Sequence, residues 1–138
     1  MAYFEWNSQV ELDHAQLNAQ HKRLFELSEA VAQSLAESPT RRPAEPALDA
    51  LIAFAREHFS FEESLMRESG YAGAETHARY HALLLAELEA YCSKVRLENN
   101  PGLTVTGLVA YLWRWLILHI NSADRELAAW LKTSPRGR

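Results

Sequence analysis

The stretch Ala55-Arg56-Glu57-His58-Phe59-Ser60-Phe61-Glu62-Glu63-Ser64-Leu65-Met66 sets a histidine and a glutamate four residues apart among apolar positions. Four residues turn an α-helix through about 400°, so His58 and Glu62 share one face. Leu48, Leu51, Ile52, Ala55, Phe59 and Met66 recur at helical steps around them, which predicts a helix over residues 44–68 that stops near Gly70. The pattern repeats outward. His77 and His81, again one turn apart, fall in a predicted helix over 74–97, and His21 begins a run with Leu24, Leu27, Val31 and Leu35 that predicts a helix over 18–37. His119 sits in Trp115-Leu116-Ile117-Leu118-His119-Ile120, within a fourth predicted helix over 104–131.

Punctuation separates the four. Ser38-Pro39-Thr40-Arg41-Arg42-Pro43 cannot continue a helix, Gly70-Tyr71-Ala72-Gly73 reads as a tight turn, and Glu98-Asn99-Asn100-Pro101-Gly102 makes the last break. No run of alternating β-branched residues suggests a strand. Short connections between long helices favour antiparallel neighbours. The fold expected is all-α, an up-down-up-down antiparallel four-helix bundle. It forms one domain over 1–138, with an irregular N-terminal arm (1–17) anchored by Phe4 and Trp6, the bundle (18–131) and a short tail (132–138). Asn18 is expected to cap the first helix, and His14, before it, to be solvated.

The chain has 138 residues, 48% of them hydrophobic and 23% charged, as in an ordinary soluble domain. A net charge of −4 with no basic face argues against nucleic acid. Cys92 is the only cysteine, which excludes an internal disulfide and fits a reducing compartment. The start Met1-Ala2-Tyr3-Phe4-Glu5-Trp6 lacks the pattern of a signal peptide, and Arg114 and His119 interrupt the most apolar segment. The expectation is a cytoplasmic protein without a membrane span.

Each histidine has an ordinary explanation when taken alone: His21 as a hydrogen-bonded core residue, His58 and Glu62 as a helix pair. Two imidazoles one turn apart at His77 and His81 gain little except as a chelate, and an unpartnered His119 in an apolar run would be costly. Jointly, the ordinary readings need four coincidences. Five imidazoles and two carboxylates exceed one tetrahedral zinc and suit two metal ions sharing carboxylates. The second carboxylate poses a problem of phase. Asp124 follows His119 by five residues, about 140° off its face on an ideal helix. Glu126 has better phase but lies about 10.5 Å along the axis, too far for metals about 3.5–4 Å apart. Asp124 is preferred, aided by a local π-type widening.

Gln20-His21-Lys22-Arg23-Leu24, His58-Phe59-x-x-Glu62-Glu63-x-Leu65-Met66, Gly70-Tyr71, His77-x-x-x-His81 and Trp115-Leu116-x-x-His119-Ile120-x-x-x-Asp124 together resemble the hemerythrins, in particular the single-domain bacterial kind. The resemblance covers most of the chain, from Trp6 to about Leu127, and fills all seven ligand positions in order. One departure is Asn18, where many relatives carry aspartate. The resemblance implies two iron ions, cycling between ferrous and ferric and bridged by an oxo or hydroxo group. His77, His81 and His119 would bind one iron. His21 and His58 would bind the other, and Glu62 and Asp124 would bridge the pair. It further implies an apolar oxygen pocket lined by Trp115, Leu116 and Ile120, with Phe59 beside them.

The function so implied is reversible binding of dioxygen, for storage or delivery, by a protein that is not an enzyme. Neutral imidazoles dominate the donor set, whereas oxygen-activating di-iron bundles are rich in carboxylates. Carboxylates stabilise highly oxidised iron and imidazoles do so less, which favours release of oxygen over its activation. Two rival functions use the same donors. One is an oxygen or redox sensor, which needs an output partner that the segment Lys132-Thr133-Ser134-Pro135-Arg136-Gly137-Arg138 is not expected to supply. The other is a di-iron redox enzyme acting on peroxide, nitric oxide or ferrous iron. No protein partner is identifiable from the sequence.

Overall fold

A computed structural model describes residues 3–37, 45–97 and 105–133. Helix α1 spans Ala15–Glu37, α2 Glu45–Ser69, α3 Ala74–Leu97 and α4 Val105–His119. A π-helical segment, Ile120–Asp124, joins α4 to α5, Arg125–Thr133, so that the predicted fourth helix is one rod with a widened turn inside it. Helix α1 packs against α2 and α4, and α2 packs against α3. The result is an all-α four-helix bundle, as expected. The predicted loops Ser38–Pro43 and Glu98–Gly102 lie outside the described residues.

Burial explains why the periodic residues form helices. Leu17, Leu24, Val31, Leu48, Leu51, Leu88, Leu108 and Leu112 are at most 1% exposed and face a common axis. Each such side chain contributes about 1.5–3 kcal/mol by leaving water. Helix α2 ends where Gly70 takes φ 68°, a left-handed conformation that suits glycine. Tyr71 N then donates to Met66 O at 3.0 Å and Gly70 N to Arg67 O at 3.3 Å, which satisfies two of the last carbonyls.

The first helix starts earlier than its apolar periodicity suggests. His14 caps it: Nδ1 accepts from Leu17 N at 3.1 Å, and the carbonyl accepts from Asn18 N at 3.0 Å. Asn18 is therefore inside the helix, and its side chain reaches back to the arm. Its Nδ2 donates to Leu12 O at 2.6 Å and its Oδ1 accepts from Leu12 N at 2.8 Å. The arm is anchored where expected. Phe4 packs 5.6 Å from Trp113 and Trp6 5.3 Å from Phe25, while Glu29 Oε1 accepts from the backbone of Tyr3 and Phe4.

Candidate metal centre

All seven predicted donors meet in the middle of the bundle. His21, His58, Glu62, His119 and Asp124 are 0% exposed, His81 is 2% and His77 5%. Helix α1 contributes His21, α2 contributes His58 and Glu62, α3 contributes His77 and His81, α4 ends on His119, and the π segment ends on Asp124.

The π segment solves the phase problem. Its hydrogen bonds run from residue i+5 to residue i, as Arg125 N to Ile120 O shows. Residues five apart are thereby brought onto one face, and His119 Nε2 lies 2.7 Å from Asp124 Oδ2. Glu126 is turned out to solvent. Ser122 Oγ caps Leu118 O inside the widened turn, and Arg125 ties the segment to the arm, donating to Gln9 O at 3.0 Å and to Asn121 Oδ1 at 2.7 Å.

Every inward-facing imidazole atom in the cluster is an Nε2. His21 Nε2 is 2.9 Å from Asp124 Oδ2, His77 Nε2 is 3.1 Å from Asp124 Oδ1, and His81 Nε2 is 2.8 Å from Glu62 Oε1. His58 Nε2 stands 3.2 Å from His119 Nε2. Two ligating atoms so close repel unless a proton or a cation lies between them. His58 Nε2 is also 2.8 Å from Glu62 Oε2, yet that buried oxygen makes no hydrogen bond, because proximity is not matched by direction. An unsatisfied buried carboxylate oxygen is costly unless a cation completes it. The donors form two overlapping groups, His21–His58–Glu62–His119–Asp124 and Glu62–His77–His81–Asp124. They share both carboxylates, as two bridged ions require, and nitrogen with carboxylate oxygen suits first-row divalent metals. The resemblance pairs His119 with His77 and His81, whereas the side chains group it with His21 and His58. The choice is nearly balanced, since the His119 ring is 5.4 Å from that of His58 and 5.5 Å from that of His81.

Protonation fits the same picture. Burial alone would lower the pKa of His58, but the carboxylates of Glu62 and then Asp124 override it and raise the value to about 9. His77 is likewise raised to about 9, burial being outweighed by its hydrogen bonds to Asp124 and Glu62. Glu62 is held well below the usual carboxylate range: burial opposes this, and the charges of His58 and His119 prevail. Asp124 is held down too, against burial, chiefly by His119. Two anions thus collect positive charge at the point where a cation would bind.

Two residues without an assigned role in the sequence hold the outer edge of the ligands. Gln20 Oε1 is 2.7 Å from His58 Nδ1, and Glu63 Oε2 is 3.1 Å from His81 Nδ1. Acceptors there fix the tautomer that leaves Nε2 free to ligate. The only sequence signal was adjacency: each stands next to a ligand, and residues one apart on a helix face different ways, so Gln20 reaches a neighbouring helix.

The four residues expected to line an apolar pocket are all buried, and Phe59 and Trp115 lie against histidines of the cluster. Leu116 and Ile120 are 0% exposed, Phe59 and Trp115 3%. Phe59 stacks on His81 at 4.2 Å and stands 5.1 Å from His119, while Trp115 lies 6.2 Å from His119 and donates through Nε1 to Leu84 O at 3.1 Å. No described helix is long and apolar enough to cross a membrane.

Residues 13–131 match the family model described as the hemerythrin HHE cation binding domain. The bacteriohemerythrin of Stenotrophomonas maltophilia is 30% identical, with 96% of this chain and 84% of that protein aligned. The bacteriohemerythrin of Pseudomonas paraeruginosa is 27% identical over 90% of this chain and 78% of its own length. The myohemerythrin of Theromyzon tessulatum is 25% identical, covering 88% of each. Among solved structures, a leucine-to-alanine variant of a hemerythrin superposes with a TM-score of 0.81 at 23% identity, over 94% of this chain and 98% of that one. The last comparison bears on the fold alone.

Proposed function

The chain belongs to the hemerythrin HHE cation-binding family, and from that premise we propose that it binds dioxygen reversibly at a non-haem di-iron centre, as a cytoplasmic store or carrier of oxygen and not as an enzyme. The observation that carries the proposal is the convergence of five Nε2 atoms and two shared carboxylates in a buried site. His77, His81 and His119 would hold one iron, His21 and His58 the other, and Glu62 and Asp124 would be shared between them. When bound, two ferrous ions supply the electrons that oxygen binding draws on and that oxygen release returns.

The residues do the rest. Two carboxylates offset part of the charge on two divalent ions, which limits the cost of holding them in an apolar interior. Gln20 and Glu63 orient His58 and His81. Phe59, Trp115, Leu116 and Ile120 admit a small apolar gas and exclude water and second substrates, which favours carriage over turnover. Domain extent follows the bundle, with the whole of 1–138 acting as one unit.

The test is a visible spectrum of the iron-loaded, anaerobically reduced protein before oxygen, after oxygen and after its removal. A ligand-to-iron charge-transfer band that appears with oxygen and vanishes on its removal is expected. A band that decays directly to the ferric spectrum would replace carriage with redox sensing or catalysis.

A further inference from the structure

The seven donors are so enclosed that cations need a route to them. A cleft of about 560 Å³ opens on the side of α3 and the π segment, lined in part by Tyr71, Thr76, His77, Tyr80, Ser122 and Glu126. His77 is at once a lining residue and, at 5% exposure, the most accessible of the seven donors. Glu126 is the only acidic residue among the described residues that line the cleft, and it is exposed. The widened turn that swings Asp124 inward leaves Glu126, two residues on, outside. Thr76, Tyr80 and Ser122 line the same cleft, and their hydroxyls are oxygens able to replace water around a divalent ion in transit.

The field runs the same way. The Tyr71 phenol is pushed up by burial and then by the charge of Glu126. Glu126 thus sets a negative potential at the mouth of the cleft, an arrangement that concentrates and steers cations. A second groove, of about 340 Å³, lies on α3 and α4; its lining sets the acid Glu87 against the cation Arg114 among Leu83, Leu84, Trp115 and Leu118, and it contains none of the seven donors. An acid offset by a cation among apolar side chains suits a hydrated ion less well than the first cleft does.

We propose that the cleft beside His77 is the port by which divalent cations enter and leave the buried cluster, with Glu126 as its outer capture carboxylate. The proposal rests on the reading of the cluster as a metal centre. It makes Glu126 a kinetic element and not a ligand, so its loss changes rates in both directions by one factor and leaves affinity alone.

The experiment compares the full chain with its Glu126→Gln variant. Entry is the rate at which Co²⁺ absorption bands develop on chelator-stripped protein, and exit is the rate at which excess chelator empties the loaded protein. Both should slow by the same factor, about three- to tenfold at low salt, with unchanged final occupancy and a flatter salt dependence of entry. Glu5→Gln, on the arm, should change neither. Thr76→Trp, which plugs the cleft without touching Glu126, should slow both rates at every salt concentration. Unchanged entry in both cleft variants would overturn the port and show that ions enter by opening of the bundle, while full occupancy would leave the metal centre standing. Faster exit with unchanged entry would overturn it by making Glu126 a ligand. Failure of the wild-type chain to take up any Co²⁺ would remove the centre and the port together.

Discussion

His119 Nε2 and Asp124 Oδ2 lie 2.7 Å apart across five residues of continuous helix, a separation that an α-helical turn would place on different faces. The single π turn between them is what allows one rod to bring both an imidazole and a carboxylate into the same cluster. A turn of this kind gives poorer backbone bonding than α-helix and persists where function or packing compensates. Here Arg125 clamps the segment to the backbone of the arm at Gln9.

Asp124→Asn keeps the shape of the side chain and removes its charge. Since Asp124 belongs to both donor groups, metal content should fall from roughly two ions per chain to one or fewer, as expected where a shared anion is lost. Elemental analysis of the purified variants would check this, with His77→Ala as the comparison. His77 belongs to only one group, so one ion should survive there. Two ions retained in Asp124→Asn would mean that Glu62 alone bridges.

Gln20→Ala removes the acceptor 2.7 Å from His58 Nδ1 without touching a ligand. Loss of such an outer partner typically weakens metal binding by about 10- to 100-fold. Competition against a chelator of known affinity measures it. Gln20→Glu, which restores an acceptor, should recover binding, and equal affinity in all three proteins would deny Gln20 any part in orienting His58.

Most of this architecture was legible because helical periodicity and ligand spacing are the same geometry. His58 with Glu62 and His77 with His81 announce a face, and the surrounding leucines announce which way it points. What escaped was set by side-chain bonds and backbone geometry that periodicity does not encode. Asn18 looks like a cap by residue type, yet its amide is engaged by Leu12 and the capping falls to His14. Gln20 and Glu63 carry no periodic signal at all, since their partners lie on other helices. The π turn was readable only as a contradiction, a carboxylate required at a position that an ideal helix could not supply. The pairing of His119 was not decidable from order along the chain, because its ring stands almost midway between those of His58 and His81.

Leu116→Ala opens the dry wall. Leu116 is 0% exposed, so truncation should cost about 2–5 kcal/mol of stability and leave space beside the site. Water admitted there should hasten oxidation of the oxygen-loaded protein to the ferric form, followed as decay of its visible band in air. Leu83→Ala is the control, because Leu83 is 64% exposed and its truncation opens no buried space. An oxidation rate unchanged from wild type would take Leu116 out of the pocket.

Chelation should invert the response of stability to pH. In the metal-free chain His58 and His77 have pKa values raised from 6.5 to about 9, so the stability they contribute is complete below pH 6.5 and is lost as pH climbs to 9. Glu62 and Asp124 are shifted the other way, from 4.5 and 3.8, so their contribution is present above pH 4.5 and lost on further acidification. The metal-free protein should therefore melt at progressively lower temperature from pH 6.5 to 9, an interval in which His119, whose pKa burial lowers, stays neutral in both states. In the metal-loaded protein the same imidazoles are ligands and must be neutral, so rising pH removes competing protons and should hold or raise the melting temperature. Thermal melts by circular dichroism, with and without chelator across that interval, read the two slopes directly. Parallel slopes would show that chelation leaves the protonation of His58 and His77 unchanged, and so that neither imidazole holds a metal ion.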